Sequence, residues 1–77
     1  MITPLSVKAV DDYRLINLFS TGEEKVYDAK GDIEHGVFQS LRDENLFGSA
    51  GIARGTVVWN DELDIAPETL YQDSKPI

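Results

Sequence analysis

Asp32, Glu34 and His35 are the first residues in this chain whose types could do chemistry, as part of a metal set or as a carboxylate–imidazole acid–base pair. His35 is the sole histidine and sits next to Gly36. Adjacent side chains on a helix point in different directions, so Glu34 and His35 would not readily share a ligand. An ordinary surface histidine is the favoured reading. Asp61, Glu62 and Asp64 form a second cluster. Hard cations want about six or more oxygens on a loop built to present them. This segment lacks the alternating acids and the turn glycine of a calcium-binding helix–loop–helix. A solvated acidic loop is expected, with weak calcium binding the sharper alternative. Ser20, Thr21 and Ser40 have no histidine close by in sequence and no nucleophile-elbow pattern around them. No catalytic residue, cofactor or metal is therefore assigned, and the chain reads as a non-enzyme.

The aromatic residues suggest contact rather than catalysis. Trp59 reads first as a core or half-buried sheet residue. As an interaction anchor it would join Tyr13 and Tyr27, because Trp and Tyr are favoured in binding interfaces. The candidate partner-binding residues are thus Trp59, Asn60, Asp61, Glu62, Asp64, Tyr13 and Tyr27.

The elements that would position these residues follow from periodicity. Residues 5–10 alternate, with Leu5, Val7 and Ala9 on one side. Asp11-Asp12 offers a two-residue turn, since Asp tolerates left-handed geometry. That turn sets Ala9 against Arg14, Val7 against Ile16 and Leu5 against Leu18. Residues 13–19 form the next strand, Ser20-Thr21-Gly22 the next loop, and residues 23–28 the third strand. Ile16 then meets Val26, Leu15 meets Tyr27, and Arg14 meets Asp28 as an exposed ion pair. One face carries Leu5, Val7, Ile16, Leu18 and Val26, and the other Val10, Tyr13, Leu15, Phe19 and Tyr27. Both faces need cover.

Ile33, Val37, Phe38 and Leu41 recur at helical spacing, interrupted by Gly36. Asp43 resembles an N-cap for a turn over residues 44–47, ended by Gly48. A second hairpin runs over residues 50–53 and 56–59 around Arg54-Gly55. Pro67 suits the first position of a helix, with Glu68 favoured in its first turn. Leu70 and Tyr71 fold back as anchors, and residues 72–77 fray. The fold class is α+β: a three-stranded antiparallel meander, a short helical segment, a second β-hairpin and a short C-terminal helical turn, in a single domain over residues 1–77.

Composition narrows the partners. Fourteen acidic against seven basic residues give a formal charge of −7. That sign disfavours direct nucleic-acid binding, which rests on Lys and Arg neutralising phosphates. The first residues lack the basic and apolar regions of a secretory leader. No apolar run approaches the ~20 residues that span a bilayer. A cytoplasmic protein without membrane contact is expected, and the absence of cysteine agrees with a reducing compartment. A core of this size supplies only ~3–5 kcal/mol of net stability, which is a physical reason to expect a homodimer or a protein partner.

Three stretches, VKAVDDYRLINLFSTGEEKVYDAK, GVFQSLRDENLF and TVVWNDELDIAPETLY, resemble in order and spacing the small prokaryotic family called domain of unknown function 2442. The resemblance implies an antiparallel α+β domain and no agreed activity. It also implies a neighbouring gene for a second small protein, as in a toxin–antitoxin-like pair. Some longer relatives carry a helix-turn-helix after this domain, and none is expected here. Relatives tend towards a Pro-Asn-Gly type of turn where this chain has Asn60-Asp61-Glu62. The expected function is a non-enzymatic protein-interaction module, self-associating or acting as the acidic half of a complex. The alternatives are a regulatory or ligand-sensing domain acting with a DNA-binding partner, and an enzyme of unknown class.

Overall fold

The computed structural model describes residues 2–59 and 63–77, the side chain of Val37 excepted. The alternating first third folds into β1 (Pro4–Val10), β2 (Arg14–Phe19) and β3 (Glu24–Asp28), antiparallel and in sequence order. The β2–β3 register is the expected one, with Arg14 opposite Asp28, Leu15 opposite Tyr27 and Ile16 opposite Val26.

The β1–β2 register is not. Val10 faces Arg14, Ala9 faces Leu15, Lys8 faces Ile16 and Val7 faces Asn17, one residue away from the two-residue-turn alignment. The turn takes three residues, 11–13, with Asp12 and Tyr13 both at positive φ, 66° and 56°. A left-handed tyrosine costs on the order of 1 kcal/mol or more, and its contacts offset that. Its hydroxyl donates to Arg42 O at 2.5 Å, its carbonyl accepts from Ala29 N at 2.9 Å, and its ring meets Phe47 edge-on at 5.2 Å. Because strand side chains alternate, a one-residue slip exchanges faces. Val7 and Ala9 therefore join Leu15, Phe19 and Tyr27 on the inner face, while Val10 goes to the outer one. Leu5, at an irregularity in the ladder, is 59% exposed. Arg14 and Asp28 turn apart: Arg14 Nε donates to Asp11 O at 3.1 Å, and Asp28 accepts from Lys30 N at 3.0 Å.

The middle of the chain covers the inner face. It winds as two 3-10 segments, Asp32–Glu34 and Gly36–Arg42, burying Ile33 and Leu41, with Phe38 packed at their margin. Asp43 caps the turn α1 (Glu44–Phe47) by accepting from Asn45 N at 2.9 Å, as its residue type requires. The second hairpin, β4 (Gly51–Ala53) and β5 (Thr56–Val58), turns at Arg54 and Gly55, both at positive φ, 53° and 77°. That is the geometry whose twist suits a two-residue loop. A two-residue strand, β6 (Asp64–Ile65), adds to β5 and makes a three-stranded sheet.

Pro67 opens α2 (Pro67–Asp73) as expected, and Leu70 is fully buried. Where residues 72–77 were expected to fray, the helix runs on to Asp73. Ser74 is buried, and β7 (Lys75–Pro76) pairs with Val26 and Lys25. The first sheet thus has the order β1-β2-β3-β7. One hydrophobic cluster fills the space between the sheets and helices, with Leu15, Phe19, Leu41, Val57 and Leu70 at its centre. Full burial of a side chain of this kind is worth about 1.5–3 kcal/mol, so these few residues carry much of the fold.

Candidate functional site

The residues singled out for chemistry do not converge. His35 and Glu34 are exposed, and His35 is the extended residue between the two 3-10 segments. Asp32 is occupied: its carboxylate accepts a short hydrogen bond from the Tyr27 hydroxyl. Among the described residues no group of three or more His, Cys, Asp or Glu could hold a metal ion. Asn60, Asp61 and Glu62 lie outside the described residues. Asp64 is exposed on β6 opposite Val58.

Two of the three aromatic candidates point inward. Trp59 is buried, donating from Nε1 to Phe47 O at 3.0 Å and packing on Phe47 and Phe38 with ring centroids 5.9 and 6.3 Å away. An indole whose single donor is satisfied inside the core offers nothing to a partner. Tyr27 is buried as well. Burial, then the Asp32 hydrogen bond, then the carboxylates of Asp32, Asp73 and Asp28 hold its phenol proton above the ordinary range. Tyr13 is half-buried and serves the 11–13 turn. A cavity of about 390 Å³ beside that turn is lined by Ala9, Val10, Asp11, Asp12, Tyr13, Glu44 and Gly48. Its three carboxylates have no cationic side chain among the lining residues.

Among the described residues, the outer face of the four-stranded sheet lies outside the core cluster. Register alone places Val10, Ile16, Leu18 and Val26 there. All four are half-buried, and none belongs to the core cluster or packs against it. Ile77, 71% exposed, joins Val10, Arg14, Ile16 and Val26 around a shallow depression of about 340 Å³. One row across the sheet reads Lys8, Ile16, Val26, Lys75. Three of the seven cations, Lys8, Arg14 and Lys75, border this face, against Glu24 and Asp28. Among the described residues Lys25 pairs with Glu23 at 3.9 Å and Lys30 with Asp12 at 3.5 Å, while Lys8 and Lys75 form no ion pair. The signal for this face was in the sequence, as Ile16, Leu18 and Val26 in cross-strand alignment. The two flanking lysines were hidden, one by the slipped register and one by the unexpected pairing of β7.

Opposite, on the inner face, Tyr71 fastens α2 to the sheet. Its ring meets Phe19 edge-on at 5.0 Å with the Lys25 ammonium 3.9 Å from its centroid. Its hydroxyl donates to Glu23, which lowers that carboxyl's pKa, helped by the Thr21 hydroxyl, and raises the Tyr71 phenol's. Among the described residues no helix is long and apolar enough to cross a membrane.

The model of a family described as "Protein of unknown function (DUF2442)" matches residues 4–76, and the chain belongs to this family. Comparison with curated proteins gives no match. Among solved structures the chain is similar to a Nitrosomonas europaea ATCC 19718 protein described as a "Putative DNA Binding Protein", with 29% identity and a TM-score of 0.82. The match covers 97% of this chain and 50% of that one, so the chain spans about half the length of the solved relative.

Proposed function

From that membership as premise, we propose that the domain is a non-enzymatic interaction module working through the outer face of its four-stranded sheet. The observation that carries this reading is the apolar floor of Val10, Ile16, Leu18 and Val26, none of which, among the described residues, belongs to the core cluster or packs against it. Contiguous apolar surface of this kind on a small soluble domain marks contact with another macromolecule. The occupant is a second copy of the chain or a second small protein, in a toxin–antitoxin-like pair of which this chain is the acidic half. The working compartment in this reading is the cytoplasm, in keeping with a chain without cysteine. Ile16→Glu tests it. The side chain is half-buried and outside the core, so the variant should fold with a melting temperature within a few degrees of wild type. It should abolish self-association in light scattering, or co-purification with the product of the adjacent gene. A wild-type chain that is monomeric at high micromolar concentration and whose partner tolerates Ile16→Glu would sink the reading.

A second reading is favoured by one observation, the description of the Nitrosomonas europaea protein. In it the domain regulates, or senses a ligand for, a DNA-binding partner. Direct contact with DNA by this chain is not part of it, because the face offers three cations, Lys8, Arg14 and Lys75, against Glu24 and Asp28, too few to neutralise a phosphate backbone. A DNA-binding protein recovered with the chain and lost on Ile16→Glu would favour this version; one retained by Ile16→Glu would exclude this face from the role.

A further inference from the structure

We infer that the occupant of the outer sheet face is an amphipathic helix whose apolar stripe is bordered on both sides by carboxylates, presented by a protein other than this chain. The inference rests on the reading of that face as the working surface, and it adds the chemistry of the partner.

Width is the first argument. Lys8, Ile16, Val26 and Lys75 stand on four neighbouring strands in one row. Three interstrand steps of ~4.8 Å set the two lysine backbones about 14 Å apart. A helix with its side chains is about 10–12 Å across. Laid along the strands, it would cover Ile16, Val26, Val10 and Leu18 and bring its two shoulders to the two lysines.

Charge is the second argument. Acidic residues outnumber basic ones two to one in this chain. Nevertheless Lys8 and Lys75 form no ion pair among the described residues, and Arg14 spends its Nε on the Asp11 carbonyl. Glu24 and Asp28 lie on this face at the two ends of β3, while the cations at its lateral margins, Lys8 and Lys75, complement acids bordering an apolar stripe, and such complementarity selects partner and orientation. The net charge of −7 does not prevent this, because exposed charges beyond about 8–10 Å are largely screened at physiological salt.

The same row argues against a face-to-face pair of copies. A two-fold axis through it, whether parallel or perpendicular to the strands, sets lysine on lysine at both margins: Lys8 over Lys75, or each over its own copy. Like charges so placed are unfavourable.

The probe is a synthetic helix of roughly 18 residues, five turns, with a leucine stripe flanked by glutamates. Its counterpart carries lysines at the flanking positions. Both are titrated into the isotopically labelled chain and followed by backbone amide shifts. The glutamate peptide should bind with shifts concentrated at Lys8, Ile16, Leu18, Val26 and Lys75, and the lysine peptide about tenfold or more weaker. The charge-reversed variant Lys8→Glu/Lys75→Glu should invert that preference; its substitutions are at exposed positions and circular dichroism confirms folding. Equal binding of the two peptides, or a preference that Lys8→Glu/Lys75→Glu leaves unmoved, overturns the inference. So does a DNA duplex that shifts the same amides more strongly than either peptide. Where neither peptide binds but Ile16→Glu dissolves a homodimer, the interaction reading stands and the acidic helix falls. Where neither binds and Ile16→Glu changes no association, both fall.

Discussion

At the scale of single residues, the least comfortable side chain is Asn17. It lies fully buried on the inner face between Val7 and Lys25. Its Nδ2 donates to Leu15 O at 3.2 Å, while its Oδ1 accepts nothing among the described residues. An unsatisfied buried carbonyl costs ~1–3 kcal/mol, so Asn17→Leu, close in size, should raise stability by about 1 kcal/mol in urea denaturation. A loss instead would mean that a water serves Oδ1. Tyr27 predicts a pH dependence. Its phenol pKa, and that of Tyr71, are raised in the folded chain. Below the ordinary tyrosine value of about 10 both states hold the proton and the stabilisation is fully present. As pH rises above it the unfolded chain releases the proton first, and stability falls. Denaturation midpoints should therefore be flat through pH ~8–9.5 and decline above ~10, more steeply in wild type than in Tyr27→Phe. Trp59 is the core residue that its type first suggests, with its indole satisfied by the Phe47 carbonyl, whereas Tyr27, a candidate partner contact by residue type, has its hydroxyl satisfied inside by Asp32.

At the scale of elements, the parts set by local chemistry were legible. The Arg54-Gly55 turn, the Asp43 cap and the Pro67 helix start each follow from one residue type at one position. Gly55, at φ 77°, should resist replacement: Gly55→Ala is expected to cost about 1 kcal/mol, read as a lower melting temperature with an unchanged fold. An unaltered melting temperature would show that the hairpin turns differently. The elements that escaped were those decided by distant contacts. Asp11-Asp12 reads as a two-residue turn until Tyr13 is given Arg42 and Phe47 to hold, and then the loop takes a third residue and β1 slips. Likewise β6 and β7 are two residues each and carry no periodicity. They exist because β5 and β3 had edges to fill. The candidate surface was legible in its apolar floor, which needs only the correctly read β2–β3 register, and illegible in its charged margins, which need β1 and β7.

At the scale of the whole molecule, two small sheets share one cluster of buried side chains, and Trp59 from the second hairpin sits within it against Phe47 and Phe38. Neither sheet has a core to itself. Unfolding should accordingly be a single transition, with the Trp59 emission shift and the far-ultraviolet circular dichroism coinciding in denaturant. Trp59→Ala should cost about 3–5 kcal/mol, comparable to the stability expected of a domain this small, and leave most of the chain unfolded at 25 °C. Separated transitions would assign the second hairpin its own stability. The last two-residue strand has a further effect. The strand that ends the four-stranded sheet contains Pro76, which has no N–H to offer the next chain. A sheet bordered by proline and lysine is a poor template for edge-to-edge growth into fibrils. At the β7 edge, therefore, the sheet carries an apolar outer face without offering a template for stacking into aggregates.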